Sequence, residues 1–154
     1  MVGLSATLPN YTDVAEFLHV NLEPGKGLFY CDDSFRPVPL TQRFIGVTIT
    51  NKLKALEKMY ELAYERCVEE LLNDKQAMVF VHSRKDTFTT AMKIIDYATE
   101  KGKMNLFESP VDHPKYAYFK QRIQRSHNNQ LQKLFTHGLG IHHAGLRRSD
   151  RYDC

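Results

Sequence analysis

The 154-residue sequence has no phosphate cradle of the form GxxxxGK followed by Ser or Thr, and Gly25-Lys26-Gly27 does not substitute for one. Phosphoryl transfer needs such a cradle, magnesium ligands and a charge-stabilising arginine together, so a self-contained nucleotide hydrolase is not expected here. No apolar run approaches the roughly 20 residues that a bilayer-spanning helix requires. The first residues carry neither the basic patch nor the long apolar core of a secretory signal, and no membrane partner is expected. Cysteine is scarce: Cys31, Cys67 and Cys154 are far apart, odd in number and without CxxC spacing. Neither a zinc site nor a disulfide framework is therefore expected, and free thiols fit a reducing compartment, nucleus or cytosol. There is no internal repeat and no low-complexity tract.

What is present has the balance of a soluble α/β protein, 42% hydrophobic and 25% charged, of a length suited to one ordinary domain. The net charge of +3 is unevenly spread. Residues 1–112 hold 13 Lys/Arg against 16 Asp/Glu, whereas residues 113–154 hold 8 against 2, with five histidines. A basic carboxy-terminal third suits a polyanionic partner. A solvated helix face bearing lysines would show the same charge.

Along the chain, residues 2–5 read as the end of a buried strand running into Ser5-Ala6-Thr7, as though the sequence began in the middle of a larger unit. Asn10 or Thr12 can cap a short helix through Phe17 and Leu18. Two extended segments follow, 28–31 and 40–48, separated by FRPVPL, whose prolines forbid a helix. Asn51 can cap a helix over about 52–72, with Leu53, Leu56, Tyr60, Ala63, Cys67 and Leu71 on one stripe. The apolar run Ala77-Met78-Val79-Phe80-Val81 fits a parallel strand covered on both faces. Ser83 and Asp86 resemble a capping box for the next helix, with Phe88, Ala91, Met92 and Ile95 as its buried stripe and Gly102 as its stop. A polar helical region follows residue 114 and breaks near Ser126–Asn129. GLGIHHAGL reads as strand and turn, and Ser149 or Asp150 can start a last helix. Strands alternating with helices argue a parallel α/β sheet.

Three stretches carry the candidate chemistry: GLSATLPNYTDVAEFL, VFVHSRKDT and GIHHAGLRRSDR. The hydroxyls of Ser5 and Thr7 can both donate and accept, which suits either a reconnecting polar link or a simple cap of the next turn. Ser83 follows the expected strand and precedes a helix, where helix-start N–H groups favour phosphate oxygens, and Arg84 and Lys85 add charge. A plain N-cap with surface basics reads the same way. His142 and His143, being adjacent on an expected strand, would point to opposite faces and so could not easily share a metal. One of them is expected to pack and hydrogen-bond while the other, with Gly145, Arg147 and Arg148, faces a ligand. Gly145 lets backbone approach closely.

In their order and separation these stretches, with GLFYCDDSFRPVPLTQRFIGV between them, resemble the Ski2-like group of superfamily 2 helicases almost from end to end, failing only at Tyr152-Asp153-Cys154. The resemblance implies a partial RecA-like parallel sheet with flanking helices. Residues 1–50 would be the end of a first RecA-like domain and the interdomain connection, and 51–154 a truncated second, helicase C-terminal domain. It implies that Ser5, Ala6 and Thr7 are motif III, which couples the magnesium motif to the second domain. It makes Ser83, Arg84 and Lys85 part of motif IV, and HHAGL with its basics, here His143, Gly145, Arg147 and Arg148, a grip on the tracking strand. All seven would touch the phosphate backbone of RNA or DNA. The whole enzyme would be an ATP-dependent, 3′ to 5′ helicase using ATP and magnesium in the nucleus, and also the cytosol, among the other subunits of a helicase-containing complex. This chain, without the acidic DExH-type box or an arginine finger, is expected neither to bind those cofactors productively nor to hydrolyse ATP. A non-catalytic short isoform that binds nucleic acid or a helicase partner is the rival expectation.

Overall fold

The computed structural model describes residues 3–6, 8–23, 25–109 and 111–151 and divides into two compact units, Met1–Ile45 and Gly46–Cys154. In the first unit a short helix, α1 (Tyr11–Phe17), buries only Ala15. Asn10 stands at its N-cap, as the sequence suggests, but its side chain makes no capping bond. The Tyr11 and Tyr30 rings stack with centroids 4.7 Å apart. Asp32 accepts from the backbone N–H of Ser34 at 2.9 Å and from its hydroxyl at 2.5 Å, and these two bonds hold its carboxyl below the ordinary range.

The second unit is built on α2 (Lys52–Leu71) and α3 (Arg84–Glu100). Both start where a short polar side chain can satisfy orphan N–H groups. Asn51 accepts from Leu53 N and Lys54 N, and Ser83 accepts from Asp86 N at 3.2 Å while donating to the Asp86 carboxylate at 2.8 Å. Helix α3 ends at Gly102, whose φ of +64° closes a Schellman turn through Lys103 N to Ala98 O. The polar region after residue 114 forms α4 (Tyr116–Arg125) and α5 (Asn129–Phe135), split by a turn in which Asn128 caps α5. A final turn, α6, covers Arg148–Arg151.

Helix α3 is buried on two sides. Ala91 and Ile95 join Leu131 and Leu134 of α5 and Ile141 and Leu146 of the last loop. Ile94 and Ala98 face Tyr64, Cys67 and Val68 of α2. Tyr64 lies between Tyr97 and Phe107, with ring centroids 5.9 and 6.3 Å away, and its hydroxyl has no hydrogen-bond partner among the described residues. Polar contacts reinforce the α2–α3 pairing at its rim, where Lys93 reaches Glu57 at 2.8 Å.

The expected partial RecA-like parallel sheet is not formed. Among the described residues all regular structure is helical. The 77–81 run is extended but not covered: Met78 is 80% and Phe80 89% exposed, and no backbone hydrogen bond joins it to a described residue. Leu4, placed in a buried strand by its neighbours, is 96% exposed. The segments 28–31, 40–48 and 139–143 are likewise not assigned to strands among the described residues. A helix closes its hydrogen bonds within four residues, whereas a parallel strand has none of its own and depends wholly on a neighbour. The α2 stripe is also displaced. Its buried residues are Tyr64, Cys67 and Val68, while Leu53 and Leu56 remain exposed because α3 covers only the second half of the helix.

Gly138 is fixed by two constraints at once. Its φ is +70°, and a Cβ there would meet the Phe107 carbonyl oxygen at 1.7 Å. Gly138→Ala is expected to lower stability by about 2 kcal/mol or more, read as a fall in urea midpoint, since the left-handed conformation alone costs about 1–2 kcal/mol. Burial also pushes the Cys67 thiol up in pKa, which leaves less of the reactive thiolate. Mass-mapped alkylation with iodoacetamide is expected to label exposed Cys31 quickly and Cys67 only after denaturation.

Candidate nucleic-acid interface

The start of α3 and the last loop come together through one side chain. Arg84 extends across Gly145, with Nη1 3.1 Å and Cδ 3.4 Å from where a Cβ on that glycine would stand. A side chain at 145 would require the guanidinium and the His143 ring, whose Nδ1 lies 3.2 Å from the same point, each to give by a few tenths of an ångström. The loop itself is anchored from below, because Ile141 and Leu146 are buried against α3 and α5. Its polar residues are thereby left on the surface, where Arg147 and Arg148 are exposed.

The two histidines differ in environment although neither lies on a strand. His142 is exposed and His143 half-buried. His143 Nδ1 accepts from Gly145 N at 3.1 Å, which leaves Nε2 as the ring nitrogen that carries a proton. His137 is occupied elsewhere, with Nδ1 3.0 Å from Lys133 O. Among the described residues no three His, Cys, Asp or Glu side chains gather to hold a metal ion.

All seven residues expected at a nucleic-acid backbone are thus on two adjoining segments, six of them exposed: Ser83, Arg84 and Lys85 at the start of α3, and Gly145, Arg147 and Arg148 in the loop and the first residue of α6. The seventh, His143, is half-buried beside Gly145. Ser5 and Ala6 are exposed in the first unit, and Thr7 lies outside the described residues. Beside the loop is a shallow pocket of about 310 Å³ lined by residues 127–130 and 145–147 together with Asp150. Sequence reasoning passed over this pocket and the burial of Asp150, which is 5% exposed. One signal was available: Asp150 is the lone acid among eight basic residues over 113–151.

Chemically, the arrangement offers three guanidinium groups, a lysine and a ring N–H, a set of donors for phosphate oxygens. The Ser83 hydroxyl at the helix start donates to Asp86.

The chain is 49% identical over 152 residues to activating signal cointegrator 1 complex subunit 3 of Danio rerio, covering 98% of this chain and 10% of that protein. It is 48% identical over 151 residues to the ATP-dependent RNA helicase DExH14 of Arabidopsis thaliana, and 44% identical over 151 residues to the U5 small nuclear ribonucleoprotein 200 kDa helicase of Homo sapiens. Each of these two matches covers 98% of the chain and 7% of the relative. The chain therefore spans a tenth or less of the length of these curated relatives. No protein-family profile matches it.

Proposed function

Because the chain belongs to the Ski2-like helicases, sharing almost half its residues with relatives over nearly its whole length, we propose that it contributes the nucleic-acid grip and part of the coupling machinery of an ATP-dependent helicase. The observation that carries this reading is the seating of Arg84 over Gly145, which gathers basic and hydroxyl groups from two distant segments onto one surface. Ser83, Arg84, Lys85, Arg147 and Arg148 hold successive phosphates of one strand. His143 supports the loop by accepting from Gly145 N. Such contacts carry affinity and register but little sequence preference. RNA is the favoured substrate by analogy with DExH14, which is named as an RNA helicase. Analogy with a small nuclear ribonucleoprotein helicase supports a nuclear site of action within a larger complex.

ATP and magnesium belong to the whole helicase. The residues of this chain do not fit a nucleotide–magnesium site: they include no phosphate cradle, and the described ones form no metal-binding cluster. No catalytic step is assigned to them. Ser5, Ala6 and Thr7 act instead as the motif III link between hydrolysis and movement, and residues up to about 50 as the connection to the second motor domain.

Replacing both Arg147 and Arg148 by Ala is expected to weaken binding of fluorescein-labelled oligouridylate and oligothymidylate alike. The slope of log affinity against log salt should fall by up to about 1.4, the worth of two single-strand phosphate contacts. Anisotropy titrations at several salt concentrations measure both quantities, and an unchanged affinity and slope in a folded protein would remove the loop from the interface. In the whole helicase, Ser5→Ala with Thr7→Ala is expected to depress unwinding more than ATP hydrolysis. Equal loss of the two rates would make these residues structural or directly catalytic.

A further inference from the structure

The loop that presents Arg147 and Arg148 is tied at its far end to the turn between α4 and α5. Ser126 Oγ donates to Asp150 Oδ1 at 2.9 Å, and the same oxygen accepts from Asn128 N at 3.0 Å. The Ser126 carbonyl is held in turn by Gln132 Nε2 at 2.8 Å, which also reaches Gln124 O at 3.1 Å. The turn is therefore fixed on both sides of Ser126. Asp150 follows the two arginines by two and three positions, within a helical turn closed by Arg151 N to Arg147 O at 3.1 Å. It is almost fully buried, and burial of a carboxylate is costly unless its oxygens are hydrogen-bonded.

We propose that Ser126 and Asp150 form a latch that positions Arg147 and Arg148 for phosphate binding, acting through the loop and not by touching the nucleic acid. The proposal rests on the nucleic-acid reading given above. The latch joins the two walls of the pocket lined by residues 127–130 and 145–147, so the Ser126–Asp150 hydrogen bond helps to set the spacing between them. Removing it loosens the carboxy-terminal end of the loop while Ile141 and Leu146 still anchor the other end in the core. Both arginines then stay near the strand, but they are no longer held in register with Ser83 and Arg84.

The test uses the full chain with Ser126→Ala, Ser126→Thr, Arg147→Ala with Arg148→Ala, and the triple variant. Fluorescein-labelled oligouridylate is the probe. Ser126→Ala is expected to weaken binding roughly fivefold and lower the salt slope by about 0.7, the loss of about one phosphate contact. Ser126→Thr keeps the hydroxyl and is expected to retain both values. On the double-arginine background Ser126→Ala is expected to add no further loss, because its effect passes through those two side chains. Amide hydrogen exchange over residues 145–151 is expected to accelerate in Ser126→Ala. If exchange there is unchanged, or if Ser126→Ala shifts the melting temperature but neither affinity nor slope while the arginine pair still matters, the latch is wrong. Additive losses in the triple variant overturn it too. If the arginine pair has no effect on binding while Ser126→Ala accelerates exchange, the nucleic-acid reading fails and the Ser126–Asp150 tie to the loop stands.

Discussion

The burial of α3 on two sides is the constraint on which the second unit depends. A surface helix usually commits one stripe to a core. Here Ala91 and Ile95 serve one cluster while Ile94 and Ala98, one turn round, serve another. Small residues at 91 and 98 let neighbouring elements approach, and β-branched residues at 94 and 95 fill the space on either side. Because the two clusters share this helix, α2 on one side and α5 with the last loop on the other are oriented through it. Loss of either isoleucine would be felt in both, at the few kcal/mol typical of large-to-small core changes.

The same helix joins packing to surface chemistry. Its first turn is exposed and carries Ser83, Arg84 and Lys85, while its third buries Ala91 against Leu146. Leu146 sits between the glycine beneath Arg84 and the arginines at 147 and 148. The polar surface is thus registered by an apolar contact directly below it. A loop carrying so much positive charge would otherwise be driven apart by its own repulsion.

The helices were legible because their signals are local. Asn51, Ser83 with Asp86, and Gly102 each act within one turn of the residues they cap, and each is found in that role. The break near Ser126 was legible for the same reason. The buried face of α2 was harder to read, since spacing alone gives a continuous stripe from Leu53 to Leu71 and does not reveal how much of it a partner covers. The parallel sheet was the main error. An apolar run such as 77–81 states a preference for burial but does not supply the neighbour whose N–H and C=O groups it needs. At the candidate interface, the residue types were apparent in VFVHSRKDT and HHAGLRR, but the seating of Arg84 on Gly145 joins positions about 60 apart, which no local pattern can reveal. Gly138 was missed because the atom it avoids, Phe107 O, is set by a turn 31 residues earlier.

Tyr64 has a consequence of a different kind. The sequence contains eight tyrosines and no tryptophan, so its intrinsic ultraviolet emission comes from phenol rings alone. Tyr64 is 2% exposed, stacked near Phe107 and tilted against Tyr97, with its hydroxyl unbonded among the described residues and its ionisation pushed upward by burial. A phenol so placed is shielded from aqueous quenchers, unlike exposed Tyr30 or Tyr118. The contact between α2 and α3 therefore carries its own optical reporter, with no indole signal to mask it.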